Sequence, residues 1–181
     1  MNKGRVKPIV TNTHYLRKGT QHFHNKLYRD KLISYAIDTG NELLTNAKHY
    51  EKHGKSGCVG LASNQIGLNK VDMFVAKANG EWKVFTEPHL HMSSKHYYAK
   101  ESCLSLPKLK HQNLKVYRFE VFDIKFLHWE ALTCGDMIQH KLICGKDFTR
   151  FESQVFQHEQ DHLGGTLITS NNAFVKKEAR K

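Results

Sequence analysis

The chain has 181 residues, 39% hydrophobic and 25% charged, ordinary for a globular protein and long enough for one domain with a true core. No apolar run approaches the roughly 20 residues of a bilayer-spanning helix, and Met1-Asn2-Lys3-Gly4-Arg5 has no apolar segment behind it, so neither a membrane span nor a secretory signal is expected. The formal charge of +11, from 28 basic and 17 acidic residues, leaves open a solvated basic surface or a polyanionic partner such as a ribosome; no basic helix or RNA motif accompanies it, and no specific DNA contact is expected.

Residues 1–25 are polar and His-rich and are expected to lie over the surface with little regular structure. From Asp30 to about Tyr50, Leu32, Ala36, Leu43, Ala47 and Tyr50 recur at helical spacing, which predicts a packing helix with Gly40 as its weak point. Residues 51–57 read as a polar loop. In Cys58 to Gly67, small residues at Gly60, Ala62, Ser63 and Gly67 allow close backbone approach, and Gln65 is an amide among them. Val71 to Ala76 and Trp82 to Thr86 read as strands joined by Asn79-Gly80, a strong hairpin signal, with Pro88 ending the second. Glu101 to Pro107 is a short apolar stretch stopped by proline. Val116 to Trp129 is β-rich, with Tyr117, Phe119 and Val121 opposite Arg118 and Glu120, and Met137 to Ile143 adds another strand. A helix follows. Thr149 and Glu152 form a capping-box pattern and Gly164-Gly165 closes the far end. After Leu167 the tail is polar and basic. The pattern implies an α+β fold: antiparallel sheet cradling a central C-terminal helix, with an additional N-terminal helix.

The chemistry concentrates in Gln157-His158-Glu159-Gln160-Asp161-His162. Two histidines four apart lie on one helical face and can reach one metal ion, while Glu159 can approach a water without being a ligand. Phe151, Val155, His158 and His162 form one stripe, expected to point inward. Nineteen residues follow His162 and none is a histidine, so the third ligand is sought upstream. Cys103 is the candidate, since two imidazoles and a thiolate suit zinc or ferrous iron and leave a position open. Cys58, Cys103, Cys134 and Cys144 show no CxxC pair, which fits reduced thiols in a cytosol-like compartment.

Three ordered motifs, Cys58 to Gln65, Glu101 to Ser105 and Gln157 to His162, resemble GxGxAAxQ, EGCLS and QHExDH of the peptide deformylase family, over roughly residues 15 to 168. The resemblance implies a single catalytic domain over 1–181, with 169–181 as a basic tail. It implies Cys103, His158 and His162 as ligands of one divalent metal, ferrous iron foremost, with zinc, nickel or cobalt as other occupants. It further implies Glu159 as general base and then acid, and Gln65 with the backbone N–H of Leu104 as oxyanion donors. Val59, Gly60 and Ser102 would line the path of the substrate backbone, with Gln154 and Val155 at the first side chain. The reaction implied is removal of the formyl group from N-terminal formylmethionine of new polypeptides, in the cytoplasm of a bacterial or phage-infected cell or in an organelle. Cys58, Ser63 and Ser102 depart from the family pattern, as does Gln154, where an aliphatic residue is usual: it either faces the substrate or turns away to bond elsewhere. Asp161 is either a carboxylate supporting a ligand or one that only holds the helix in place. A metal-binding relative without the activity and an HExxH peptidase are the alternative readings.

Overall fold

Asn79 and Gly80 hold φ of 53° and 80°, the left-handed pair whose twist matches that of a two-residue hairpin. They join β2 (Met73–Ala78) to β3 (Glu81–Glu101), paired from Ala78 against Glu81 to Met73 against Thr86. The computed structural model describes residues 5–20, 29–54, 57–106, 114–127, 140–144 and 148–170. The expectations for 1–4, 21–25, Pro107, Cys134, 137–139 and the tail beyond 170 lie outside the described residues.

Strand β3 does not end at Pro88 but runs on to Glu101. Glu87 adopts φ 48° and the register shifts between Thr86 and His89. A bulge tolerates proline because the ladder is already interrupted there. β1 (Gly60–Ala62) pairs with β2, β4 (Leu114–Leu127) with β3, and β5 (His140–Cys144) with β4, giving a five-stranded antiparallel sheet in chain order.

Helix α2 (Arg29–His53) and helix α3 (Arg150–Leu163) pack against the sheet. On β2, Met73 and Val75 join the cluster formed with Ala36, Leu43 and Ala47 of α2. Phe74, Ala76 and Ala78 join Val155, Phe156 and Leu163 of α3. Burial on both sides explains why β2 reads as a continuous apolar run rather than an alternating one. α2 continues three residues past Tyr50, so the loop expected at 51–57 begins only at Gly54. It also passes unbroken through Gly40; burial of its apolar face outweighs the glycine cost of about 1 kcal/mol.

The inward face of β4 differs from the alternation expected. Val116 and Arg118 are buried while Tyr117 and Phe119 are only half-covered, and Val121 is buried. Register shifts between His91 and His96 intervene, and each one-residue slip exchanges the two faces.

The N-terminal segment is not merely laid over the surface. Asn46 accepts from Lys7 N at 2.6 Å and donates to Arg5 O at 3.0 Å, and Val10 N donates to Gln65 O at 2.7 Å. The short helix α1 (Thr13–Leu16) buries Leu16 completely. Thr20 N then donates to Leu163 O at 2.9 Å, and the Thr20 hydroxyl bonds Asp72.

Candidate metal centre

Local chemistry sets where α3 starts. Thr149 Oγ1 accepts from Glu152 N at 3.1 Å while Glu152 Oε2 accepts from Thr149 N at 2.9 Å, the reciprocal capping box. At the other end Gly165 holds φ 73°, and a Cβ there would meet Arg17 O at 2.4 Å. Of the expected inward stripe, Val155 and His162 are buried and His158 nearly so, but Phe151 is 56% exposed. The first turn of α3 meets a surface cleft rather than the core, so Phe151 walls that cleft.

Two polar residues of α3 fix its height against the sheet. Gln157 Oε1 accepts from Phe119 N at 3.0 Å, its Nε2 donates to Phe119 O at 2.7 Å, and Ser153 Oγ accepts from Val121 N at 3.1 Å. β5 pairs with β4 only from Asp123 onward. The helix thus satisfies backbone groups that a neighbouring strand does not reach, as buried backbone requires.

That placement brings Cys103, His158 and His162 together, with their donor atoms all within 4.8 Å of one another. Cys103 Sγ lies 3.2 Å from His162 Nε2. His158 Nδ1 lies 2.9 Å from Glu101 Oε2, which orients its ring and leaves Nε2 for the centre. Glu101 in turn accepts from Arg118 at both oxygens, 2.6 Å from Nε and 2.8 Å from Nη2, and Arg118 Nη1 donates to Asp161 Oδ2 at 2.6 Å. Asp161 thus supports the site through its bond to Arg118, with its charge also felt at His158.

The electrostatics follow from this arrangement. Burial alone would raise the Glu101 pKa, but its bonds to Arg118 and His158 outweigh it and hold the carboxyl down at about 2. Burial and the neighbouring positive charges push His162 well below the usual imidazole range, so it is a neutral donor. Burial opposes a charge on His158 too, yet Cys103 and Glu101 outweigh it and raise its pKa. The space between Cys103 and His158 thus attracts positive charge, which a divalent cation meets with the imidazole neutral. The thiolate and two imidazoles fit such an ion in type and number.

Glu159 is buried, its Oε2 has no hydrogen-bond partner among the described residues, and burial pushes its pKa up to about 7. Gly60 lies against it: a Cβ on Gly60 would stand 2.6 Å from Glu159 Oε1 and 2.7 Å from Val155 Cγ1. Gln65 is buried, with Oε1 accepting from Ala62 N at 2.9 Å and Nε2 reaching Ser105 Oγ at 3.2 Å and Cys103 Sγ at 3.8 Å. Its acceptor is occupied, so its donor end faces the metal donors.

A cavity of about 250 Å³ opens on these groups. Val59, Gly60, Gln65, Ser102, Cys103, Leu104, Gln154, Val155, His158 and Glu159 line it, and His162 lies at Cys103. Gln154 combines the two placements expected of it, since it lines the cavity while its Nε2 donates to Lys100 O at 3.1 Å. Cys58 also lines it, but burial pushes its thiol up to about 12 and it donates to Gly60 O. Sequence reasoning placed Phe151 in the inward stripe and gave Glu101, Arg118 and Gln157 no role of their own. A lone arginine between Tyr117 and Phe119 was the available signal for a buried ion pair, but nothing local named its partner.

The family model for polypeptide deformylase matches residues 9–178. The peptide deformylase of Clostridium beijerinckii is 29% identical over 164 residues, covering 90% of this chain and 99% of its own. That of Prosthecochloris aestuarii is 32% identical over 141 residues, 73% of this chain and 67% of its own. The crystal structure of a class I type b peptide deformylase from Acinetobacter baumannii is similar with a TM-score of 0.64 at 20% identity, covering 90% and 96% of the two chains.

Proposed function

This chain belongs to the polypeptide deformylase family, and from that membership and the geometry of the centre we propose how it works. The chain is a metal-dependent hydrolase that removes the formyl group from the N-terminus of new polypeptides. Cys103, His158 and His162 hold the ion. When bound, a divalent cation supplies Lewis acidity and lowers the pKa of water toward neutrality.

In this reading Glu159 takes a proton from the attacking water as oxygen adds to the formyl carbon. Gln65 Nε2 and the backbone N–H of Leu104 donate to the negative charge that develops on the formyl oxygen. The C–N bond then breaks, formate leaves, and Glu159 returns its proton to the peptide amine. A pKa of about 7 suits both transfers. Val59, Gly60 and Ser102 line the path of the peptide backbone; Gln154 and Val155 meet its first side chain, with methionine as the natural occupant. The ion is ferrous iron, with zinc, nickel or cobalt able to replace it. The single observation that carries the reading is the buried Glu159 carboxylate, whose Oε2 has no hydrogen-bond partner among the described residues, beside three convergent metal donors.

The working place is the bacterial or phage-infected cytoplasm, at ribosomes, which the charge of +11 and the bacterial relatives support; no helix among the described residues is long and apolar enough to cross a membrane. The whole of 1–181 acts as one catalytic domain. Formate release from formyl-Met-Ala-Ser, with metal analysis, tests the reading. Glu159→Gln should keep one ion per chain and lose roughly 10²–10⁴-fold in kcat, whereas Cys103→Ala should lose the ion. Wild-type turnover in metal-replete Glu159→Gln overturns the mechanism.

A further inference from the structure

The ribbon of β3 and β4 has an outward face that lies beside the catalytic cavity and meets it at Lys100. Residues paired across an antiparallel ladder share a face, and every second residue returns to it. Arg118, paired with Tyr97, points to Glu101 and Asp161. The pairs His96–Phe119, Tyr98–Tyr117 and Lys100–Lys115 therefore form successive rungs of the opposite face. Their rings touch: His96 and Tyr117 centroids lie 4.7 Å apart, Tyr98 and Tyr117 5.6 Å, Tyr117 and Phe119 5.3 Å. Tyr98 is 55% exposed. Beyond the register shift, the same face continues with His91–Asp123 and His89–Lys125.

From this ladder we infer that the outward face of the β3–β4 ribbon binds single-stranded RNA, stacking bases on Tyr98, Tyr117 and Phe119 and placing phosphates at Lys100 and Lys115. Lys100 and Lys115 oppose each other in register, which sets two cationic side chains beside the rings at the spacing of one rung. The adjoining rings accept any base, and sheet faces bearing a few aromatics hold two or three bases this way. A duplex cannot use the face, because its bases are already stacked. A second copy of the chain suits it less well, since the rungs carry lysines and histidines with Asp123 as their one carboxylate, and self-pairing sets cation against cation. The inference deepens the ribosomal reading by naming a surface, and it is independent of the catalytic assignment.

The test uses the full metal-loaded chain with a fluorescent 20-nucleotide uridine RNA and a blunt RNA duplex of equal length, followed by anisotropy across a salt series. The single strand should bind more tightly than the duplex. Tyr98→Ala should weaken it about fivefold or more, as loss of one stacked base implies, while Tyr98→Trp restores it. Lys115→Ala should reduce the log–log salt slope by about 0.7, the value for one phosphate contact on a single strand. Deformylation by Tyr98→Ala should match wild type, which shows that the variant folds. Equal affinity for duplex, or wild-type affinity in Tyr98→Ala, would leave only diffuse charge and overturn the proposal. So would a concentration-dependent dimer, seen by sedimentation without RNA, that Tyr98→Ala abolishes. If ribosomes still pellet the Tyr98→Ala protein like wild type, the ribosomal reading survives and this surface does not.

Discussion

The two long helices bury different mixtures of residue. α2 packs chiefly through Ala36, Leu43 and Ala47, all fully buried, with Thr39 and Asn46 buried beside them, and works mostly by excluding water from apolar surface. α3 buries Val155, Phe156 and Leu163, but alongside them Ser153, Gln157, Glu159 and His162. Each of these polar groups would cost stability alone. Ser153 and Gln157 recover the cost by completing the edge of β4. Glu159 and His162 keep an atom without a partner among the described residues, Oε2 and Nδ1 respectively. α2 is held mostly by area and α3 more by matched partners, and two of the unmatched atoms of α3 belong to the metal centre.

The sharpest way to break this contrast is Arg118→Met beside Leu43→Ala. Removing Arg118 strands Glu101 and Asp161 and should cost about 3–5 kcal/mol; it should also weaken metal binding by roughly 10–100-fold, because His158 loses its oriented carboxylate. Leu43→Ala should cost about 2–5 kcal/mol and leave metal affinity unchanged. Urea unfolding with a metal titration of each variant separates them; equal metal affinities in both would dissolve the distinction.

Next in size is the pH response of the two carboxyls. Glu101 is held at about 2 in the folded protein against an ordinary 4.5, so the stability it contributes is present above about pH 4.5 and is lost as pH falls toward 2. The shift corresponds to about 3 kcal/mol. Glu159, raised to about 7, has the opposite sign: its contribution is full below about pH 4.5 and is lost as pH rises through 7. Glu101→Gln should flatten the acid limb of a stability–pH curve, and Glu159→Gln should flatten the decline between about pH 4.5 and 7. A Glu101→Gln curve that parallels wild type below pH 4 would contradict the ion-pair account.

Gly60→Ala probes the closest approach between sheet and helix. Its Cβ would displace Glu159 or Val155, and overpacking of this kind costs about 1–3 kcal/mol. A catalytic group moved by about 1 Å can lose on the order of 10²-fold in rate. Activity should therefore fall far more than thermal stability, and a loss confined to stability would show that Glu159 tolerates the shift. The smallest effect expected is at Gln154. Replacing it with Ile frees Lys100 O and gives the cavity an apolar wall. The kcat/KM ratio of formyl-Met over formyl-Gln peptides should rise several-fold; an unchanged ratio would remove Gln154 from specificity.

What could be read ahead of the structure divides along the same line as the helices. α2, the Asn79-Gly80 hairpin and the Thr149–Glu152 cap rest on neighbours in the chain, and all three are where periodicity and turn chemistry place them. The three motifs likewise name residues that meet around one cavity. Partners distant in sequence were not legible. Glu101 lies within a recognised motif, but its bond to Arg118 spans 17 residues and depends on the register of two strands. The Pro88 bulge and the reversed face of β4 belong to the same class, because a register slip is a property of the pair and leaves no mark in either strand alone. Phe151 continues the helical stripe correctly; what periodicity lacks is knowledge of where the core stops.

The clasp between Thr20 and Leu163 bears on the order in which this molecule can be built. Their bond spans 143 residues, and Asn64 Nδ2 donates to His162 O across 98 residues at 2.6 Å. Strands β1 to β3 can assemble from local contacts as they emerge, and Lys7 and Val10 can then bond Asn46 and Gln65, but Thr20 has no Leu163 to close upon until α3 has left the ribosome. Chain synthesis at about 5–20 residues per second leaves Thr20 without its Leu163 partner for several seconds, and long loop closure is the slow kind of contact. A protein that removes the formyl group from the start of other chains thus completes its own beginning only after its end has been made.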